Sequence, residues 1–271
     1  MYSLQEHLSI KSKKTLQIII ICIFAISLML IEICSIAYAD ACDVMRLYGN
    51  TAVPVKENRI KMVKEEVNIN GSVDLDNTNN TTQAIFTFEN TTDKEIKLEM
   101  GFPFTKKYSG LNPKIIGNCF TFTTKIDSKN IPVERIKTAS NTKLKIGSEY
   151  SFMYIWPIIF KPKEKKIVEC VYECSRELTH DPICGREIGL TGSSIHYVTK
   201  TGALWKGPIG QADFYVSIGN NLSERLKKRN TRVVITPKGY KIVDYKTIEW
   251  HFQNWKPTED IHIEFYWNYK K

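Results

Sequence analysis

Cys170, Cys174, His180 and Cys184 follow one another as C-x3-C-x5-H-x3-C, the residue types that hold zinc. A zinc knuckle brings close pairs together through a tight turn. The residues around the first pair, IVECVYECS, have the β-branched and aromatic character of a strand, and at ~3.3 Å per residue such a strand holds Cys170 about 13 Å from Cys174. The spacing therefore argues against a metal centre. It also rules out a bridge between the two, since a disulfide needs Cα atoms within about 7 Å. A helical segment would instead set both on one face and restore the metal reading. Cys174 and Cys184 can meet across a bend over residues 178–183, and this is the disulfide that the spacing favours. The alternative is that Cys42, Cys119, Cys170, Cys174 and Cys184 all pack as small apolar residues within a sheet.

Acyl-transfer chemistry has less to start from. Cys184 with His196 supplies a thiol and a base, but no orienting third group and no oxyanion loop accompanies them. Whether His180, His196, Cys184 and Glu187 converge in a concave pocket is what separates an enzyme from a binding module. Glu65 and Glu66 fall on opposite faces of a strand and cannot act together on one substrate. His251 and His262 read as surface or strand residues. The sequence has no G-x-S-x-G, H-E-x-x-H, P-loop or dinucleotide fingerprint, so no catalytic set, metal or cofactor is expected. Trp205, Trp250, Trp255 and Trp267 offer surfaces on which sugars stack; because Trp is usually highly buried, packing between sheets is the favoured role.

The elements that must position these side chains read as strands. Residues 197–219 set two of them around a corner, where Gly202, Gly207, Pro208 and Gly210 surround Trp205 as a large apolar anchor. Upstream, Ile85, Phe86 and Phe88 precede Asn90-Thr91-Thr92-Asp93, and Ile96, Leu98 and Met100 follow in alternation, the pattern of a hairpin with a polar turn. Residues 74–83 favour turns, and Pro103 is expected to end the strand before it. Further strands are expected at 119–126, at 131–136 with Pro132 at an edge or strand start, at 149–160 and after the charged turn 161–166. Residues 176–192, with little alternation, are the expected connection between halves. Beyond them, strands are expected near 195–199, 212–218, 232–236, 240–244, 247–252 and 261–267, with a helical turn only at 223–230. Strand count and spacing predict an all-β protein of one or two immunoglobulin-like antiparallel β-sandwiches. The expected division is 40–176 and 177–271.

The amino terminus carries Lys11, Lys13 and Lys14, then an apolar run over residues 16–31, then Ala37-Tyr38-Ala39 before Asp40. These are the three parts of a secretory signal peptide cut between Ala39 and Asp40. The apolar run is also long enough for a retained single-span anchor, and that alternative stays open. Asp40 stands where a lipid-attachment site before Cys42 wants a small or apolar residue. Removing residues 1–39 takes three Lys and two Glu and changes the formal charge from +9 to +8. A basic surface permits contact with anionic wall polymers, although the lysines are scattered along the whole chain.

Tyr197, Thr201, Gly202, Ala203, Trp205, Lys206, Gly207, Pro208 and Ile209 resemble the Y-x-x-x-TGA-x-WKGPI signature of a secreted bacterial family of unknown function. The segments NTAVPVKENRIKMVKEEVNI, FTFENTTDKEIKLEMGFPF and FQNWKPTEDIHIEF are similar to that family too, so the resemblance covers nearly all of the chain after residue 39. The polar segment 74–83 and the cysteines 170, 174 and 184 depart from it. The resemblance implies export and a β fold, and it transfers no catalytic residue. The expected role is a non-catalytic binding or structural component at the bacterial cell envelope. Its expected partner is an anionic cell-wall polymer or an envelope protein, with no nucleic acid, and a membrane only if the N-terminal segment is retained. The alternative from another class is an extracytoplasmic hydrolase that acts on wall glycan or peptide in a cleft between the halves.

Overall fold

Residues 41–47, 51–71, 79–105, 119–138, 150–175, 177–181, 190–219 and 231–268 are described by the computed structural model, and all lie within the single unit Ile36–Lys271. Apart from one 3-10 turn at Lys200–Leu204, every regular element among them is a strand. The first ten are β1 (Cys42–Leu47), β2 (Thr51–Val55), β3 (Ile60–Asn70), β4 (Asn79–Asn90), β5 (Ile96–Thr105), β6 (Cys119–Ile126), β7 (Lys129–Ile131), β8 (Glu134–Thr138), β9 (Tyr150–Phe160) and β10 (Lys165–Ser175). The remaining seven are β11 (Glu177–Asp181), β12 (Leu190–Tyr197), β13 (Ile209–Ser217), β14 (Thr231–Thr236), β15 (Lys241–Ile242), β16 (Thr247–Trp255) and β17 (Ile261–Asn268).

An eight-stranded sheet in the order β15-β16-β13-β3-β4-β10-β6-β7 is the backbone of the architecture. Its register puts Trp250, Phe214, Val67, Ala84, Cys170 and Thr124 in one row across six strands, and all six are buried. Because side chains alternate between faces, this row marks an inner face, and two smaller layers cover it. A closed five-stranded barrel, β1-β2-β8-β9-β5, brings Phe102 to ring-centroid distances of 5.4 Å from Phe122 and 5.3 Å from Tyr172. A four-stranded sheet, β11-β12-β17-β14, brings Tyr197 to 6.0 Å from Phe214. One continuous apolar core runs beneath both layers. The barrel strands hold a second, smaller cluster of Cys42, Val44, Ile136, Met153 and Ile155.

Several expectations are corrected. Strands from both sides of residue 176 share the long sheet, since β13 lies between β16 and β3; two tandem sandwiches divided at 176 and 177 are not what the chain builds. Nor are the sheets wholly antiparallel, because β13 pairs in parallel with β3 and β2 with β8. Alternation on both sides of residues 90–93 suggested a hairpin, yet β4 pairs with β3 and β10 while β5 pairs with β9 and β1. The turn between them is an arch that changes layers. Buried Asn90 holds it, donating to the Lys94 and Lys161 carbonyls at 2.7 and 2.8 Å and accepting from the Thr92 N–H at 2.9 Å. A strand also runs through Pro103, which pairs with Met153 where β1 has already ended its pairing at Gly101. Residues 79–83 are strand rather than turn, and 177–181 and 190–192 are strand rather than connection. The helical turn expected at 223–230 lies outside the described residues.

Candidate functional site

The corner after β12 is built from inside. Asp260 accepts the Thr199 and Lys200 N–H groups at 3.0 and 3.1 Å and so fixes the start of the 3-10 turn, in which Thr201 and Gly202 are buried. Ala203 is partly covered. Trp205 follows, 2% exposed, with its indole N–H donated to the Ala41 carbonyl at 2.9 Å and its ring 4.8 Å from Phe88. Lys206 donates its backbone N–H to Ile60 and its ammonium to Thr91. Gly207 has φ +70°, the left-handed region that costs glycine least. Pro208 is exposed and Ile209 buried. At Gly210 a Cβ would overlap the Val63 carbonyl oxygen, so glycine is what lets β13 come alongside β3. The signature residues thus tie the ends of β1, β3 and β4 to the start of β13. They are a joint, and Trp205 is its plug.

The polar chemistry lies on the other face of the long sheet. Its outer row runs Lys125, Glu169, Ile85, Glu66, Asp213 and His251, neighbours in register across β6, β10, β4, β3, β13 and β16. Contacts between neighbouring strands (Lys125 and Gln83 to Glu169, His251 to Asp213) and within single strands hold these side chains in place. Lys125 and Gln83 donate to Glu169 at 3.0 and 2.7 Å, and the Gln83 bond, then Lys125, lowers the Glu169 pKa. Lys64 donates to Glu66 at 2.8 Å. His251 Nδ1 lies 2.9 Å from Asp213 Oδ1, and its Nε2 lies 3.3 Å from Glu249 Oε2. Gln211 donates to the second Asp213 oxygen at 2.6 Å. The Asp213 contact, reinforced by Glu249 against some desolvation, raises the His251 pKa. A carboxylate beside each ring nitrogen favours the protonated form of His251 and holds its ring against Asp213 of the neighbouring strand and Glu249 of its own.

Two buried groups lie elsewhere. Glu65 is on the inner face, opposite to Glu66, and accepts the Tyr197 hydroxyl at 3.2 Å. On the four-stranded sheet His196 is 5% exposed, with its Nε2 3.7 Å from Asp260 Oδ2 and its ring centroid 4.8 Å from that of His262. That separation is beyond hydrogen-bond length, and neither ring nitrogen of His196 has a hydrogen-bond partner. Burial drives the His196 pKa down to about 4, with Asp260 opposing. Burial works to raise the Asp260 carboxyl, yet His196, Lys200 and the Thr199 N–H outweigh it and hold it below the usual range.

Cys184 and Glu187 lie outside the described residues, as do Ala39 and Asp40, and no side chain is described for His180. Of the four residues whose convergence would mark a hydrolase, only His196 is therefore seen with its side chain. Cys170 and Cys174 are buried in the single strand β10, while His180 belongs to β11 in a different sheet. The residue set opposite Cys174 in the ladder is Cys119. Trp250 is fully buried, and Trp255 is half-covered and stacked on Phe252 at 4.4 Å. The Asp213–His251–Glu249 contact is not among the sites expected from the sequence. Its signal was an Asp and a His on two neighbouring strands, which means nothing until the register is known.

Residues 175–263 match a family described as a domain of unknown function (DUF4424); the match covers the corner, β11, β12 and β14 of the four-stranded sheet and only the start of β17. No curated protein matches the sequence. Among solved structures, a Legionella pneumophila protein described as a candidate nutrient-binding protein is similar, with a TM-score of 0.61 and 21% identity over 85% of this chain and 71% of that one. That likeness is one of fold. An M1 zinc metallopeptidase from Deinococcus radiodurans gives a TM-score of 0.34 and 8% identity over 79% of this chain and 44% of the peptidase.

Proposed function

We propose that this protein is an exported, non-catalytic binding component of the bacterial cell envelope, an immunoglobulin-like stacking of β layers that recognises its partner on the outer face of the long sheet. The observation that carries this reading is the outer row from Lys125 to His251, polar on five of its six strands, in which Lys125–Glu169 and Asp213–His251 are joined across strands and Glu66 is held by Lys64. A surface fixed before contact loses little side-chain entropy on binding. The description of the Legionella protein as a candidate nutrient binder supports a binding role.

Charge narrows the partner. Although the whole chain carries a formal +9, carboxylates outnumber lysines along this row. An anionic wall polymer would be repelled there, whereas an envelope protein or a neutral glycan fits. The basic amino-terminal segment, its apolar run and Ala37-Tyr38-Ala39 support export with cleavage before Asp40.

Capture from envelope extracts by the chain beginning at Asp40 tests the surface. A Glu66→Lys, Ile167→Asp variant, changed only on the outer face, is expected to melt like wild type and to lose the captured partner. Equal capture by both would overturn the assignment to this face. Intact mass of the product from an exporting host tests cleavage: a species starting at Asp40 is expected, and retention of residues 1–39 would replace secretion with anchoring.

A further inference from the structure

Residues 238–245 form an unbroken run of exposed residues, the longest among the described residues. Half of them are large and apolar or aromatic: Tyr240, Ile242, Val243 and Tyr245 are 39%, 45%, 57% and 53% exposed. The other exposed large apolar residues among the described residues, Met45, Ile159 and Ile167, are scattered one to a strand. Single exposed apolar side chains are ordinary, whereas a contiguous group marks a contact surface.

The run is the arm and tip of the hairpin that joins β15 to β16, and it is built in advance. Lys241 and Ile242 pair with Glu249 and Ile248. The Val243 N–H donates to the Thr247 carbonyl at 3.0 Å. At the base, the Trp250 indole donates to the Pro237 carbonyl at 2.8 Å, with Tyr240 at 6.1 Å from its ring. Asp244, the one acid of the tip, accepts the Lys246 and Thr247 N–H groups at 2.8 and 2.7 Å, so its carboxylate serves the turn. Lys238, Lys241 and Lys246 flank the apolar residues, the last with its ammonium 5.7 Å from the Tyr245 ring centroid.

Aliphatic side chains at a tip, tyrosines beside them and lysines at the margin are the composition that a lipid–water boundary selects. Hydrocarbon takes the first, the headgroup layer the second, and anionic phosphates the third. We propose that the β15–β16 hairpin is a membrane-contact element that seats Ile242, Val243 and Tyr245 shallowly in an anionic bilayer surface. The hairpin is the β15 edge of the long sheet, where Lys241 stands opposite Glu249, and the contact does not depend on a retained N-terminal anchor.

Vesicle flotation of the chain beginning at Asp40 tests it, with phosphatidylglycerol–phosphatidylcholine vesicles against phosphatidylcholine alone. Partitioning is expected to be at least about tenfold stronger with phosphatidylglycerol and to weaken with salt. Lys238→Gln with Lys241→Gln should weaken it by roughly tenfold or more. Ile242→Ser with Val243→Ser should weaken it on both vesicle types. The lysine variant changes only exposed side chains and keeps the test valid if the serine variant melts lower. No flotation of wild type overturns the proposal. So does equal flotation of wild type and the lysine variant, or capture of a protein through the hairpin by a chain that ignores vesicles.

Discussion

Tyr197 on β12 donates its hydroxyl to Glu65 on β3 at 3.2 Å, across the seam between the four-stranded sheet and the long sheet. Both residues have 0% exposed surface in the apolar core. Only one carboxyl oxygen of Glu65 is engaged; Oε2 has no hydrogen-bond partner. Burial pushes the Glu65 pKa up to about 8, with the Tyr197 bond opposing. A carboxyl in such a place is held neutral, because ionising it without a cation nearby is costly.

That pair makes stability fall as pH rises. The unfolded chain releases the Glu65 proton near 4.5 and the folded chain near 8, so between those values the folded state binds more protons and each pH unit favours unfolding. Glu65→Gln stays neutral throughout and is expected to melt above wild type at pH 8, by a few kcal/mol in order of magnitude. The advantage should vanish near pH 4.5. Parallel pH–stability curves for the two proteins would mean that Glu65 is charged in the core.

His196 acts at the acid end with the opposite slope. Its folded value of about 4 lies below the ordinary 6.5, so the unfolded chain takes up a proton that the folded chain refuses. Stability from this group is complete above pH 6.5 and is lost as pH falls toward 4, on the order of 3 kcal/mol. Asp260, held below its usual range, adds to the same loss at lower pH. Imidazole resonances followed by NMR should show His196 still neutral at pH 5. A His196 resonance that titrates at its ordinary value would sink this account.

Much of this architecture was readable and some was not, for reasons tied to particular residues. Alternation at Ile96, Leu98 and Met100 announces a strand because side chains of a strand alternate between faces. It does not say which strand pairs with it, and so an arch around Asn90 and a hairpin look the same. The parallel partnership of β3 and β13 was hidden for a related reason: nothing local in Lys64 or Gln211 names the other. The burial of Trp205 could be expected from its size and its neighbours. The clamp of His251 between Asp213 and Glu249 could not, because it exists only once β13 and β16 are in register. The lysines and apolar residues of 238–245 were visible in sequence but looked like an ordinary strand.

The corner offers a graded test. Trp205→Ala empties a large buried site and breaks the bond to Ala41, and it should cost about 3–5 kcal/mol in chemical denaturation. Gly207→Ala meets open space but keeps φ +70°, so about 1 kcal/mol is expected. Gly210→Ala should cost more than Gly207→Ala, because its Cβ would run into the Val63 carbonyl and push β13 away from β3. The reverse order would show that backbone strain, not strand approach, shapes this corner.

The place of β13 beside β3 also sets a timetable. As the polypeptide emerges end first, whether from a ribosome or an export channel, β3 is made early and finds β4 at once, while its other edge waits for Gln211 and its followers. Until they arrive, Val67 and Ile69 border an open edge that invites pairing with other chains. Closing such a distant pairing is slow. Until that pairing closes, the lateral seal of the long sheet is incomplete, and the bare edge of β3 is where one newborn chain can join another.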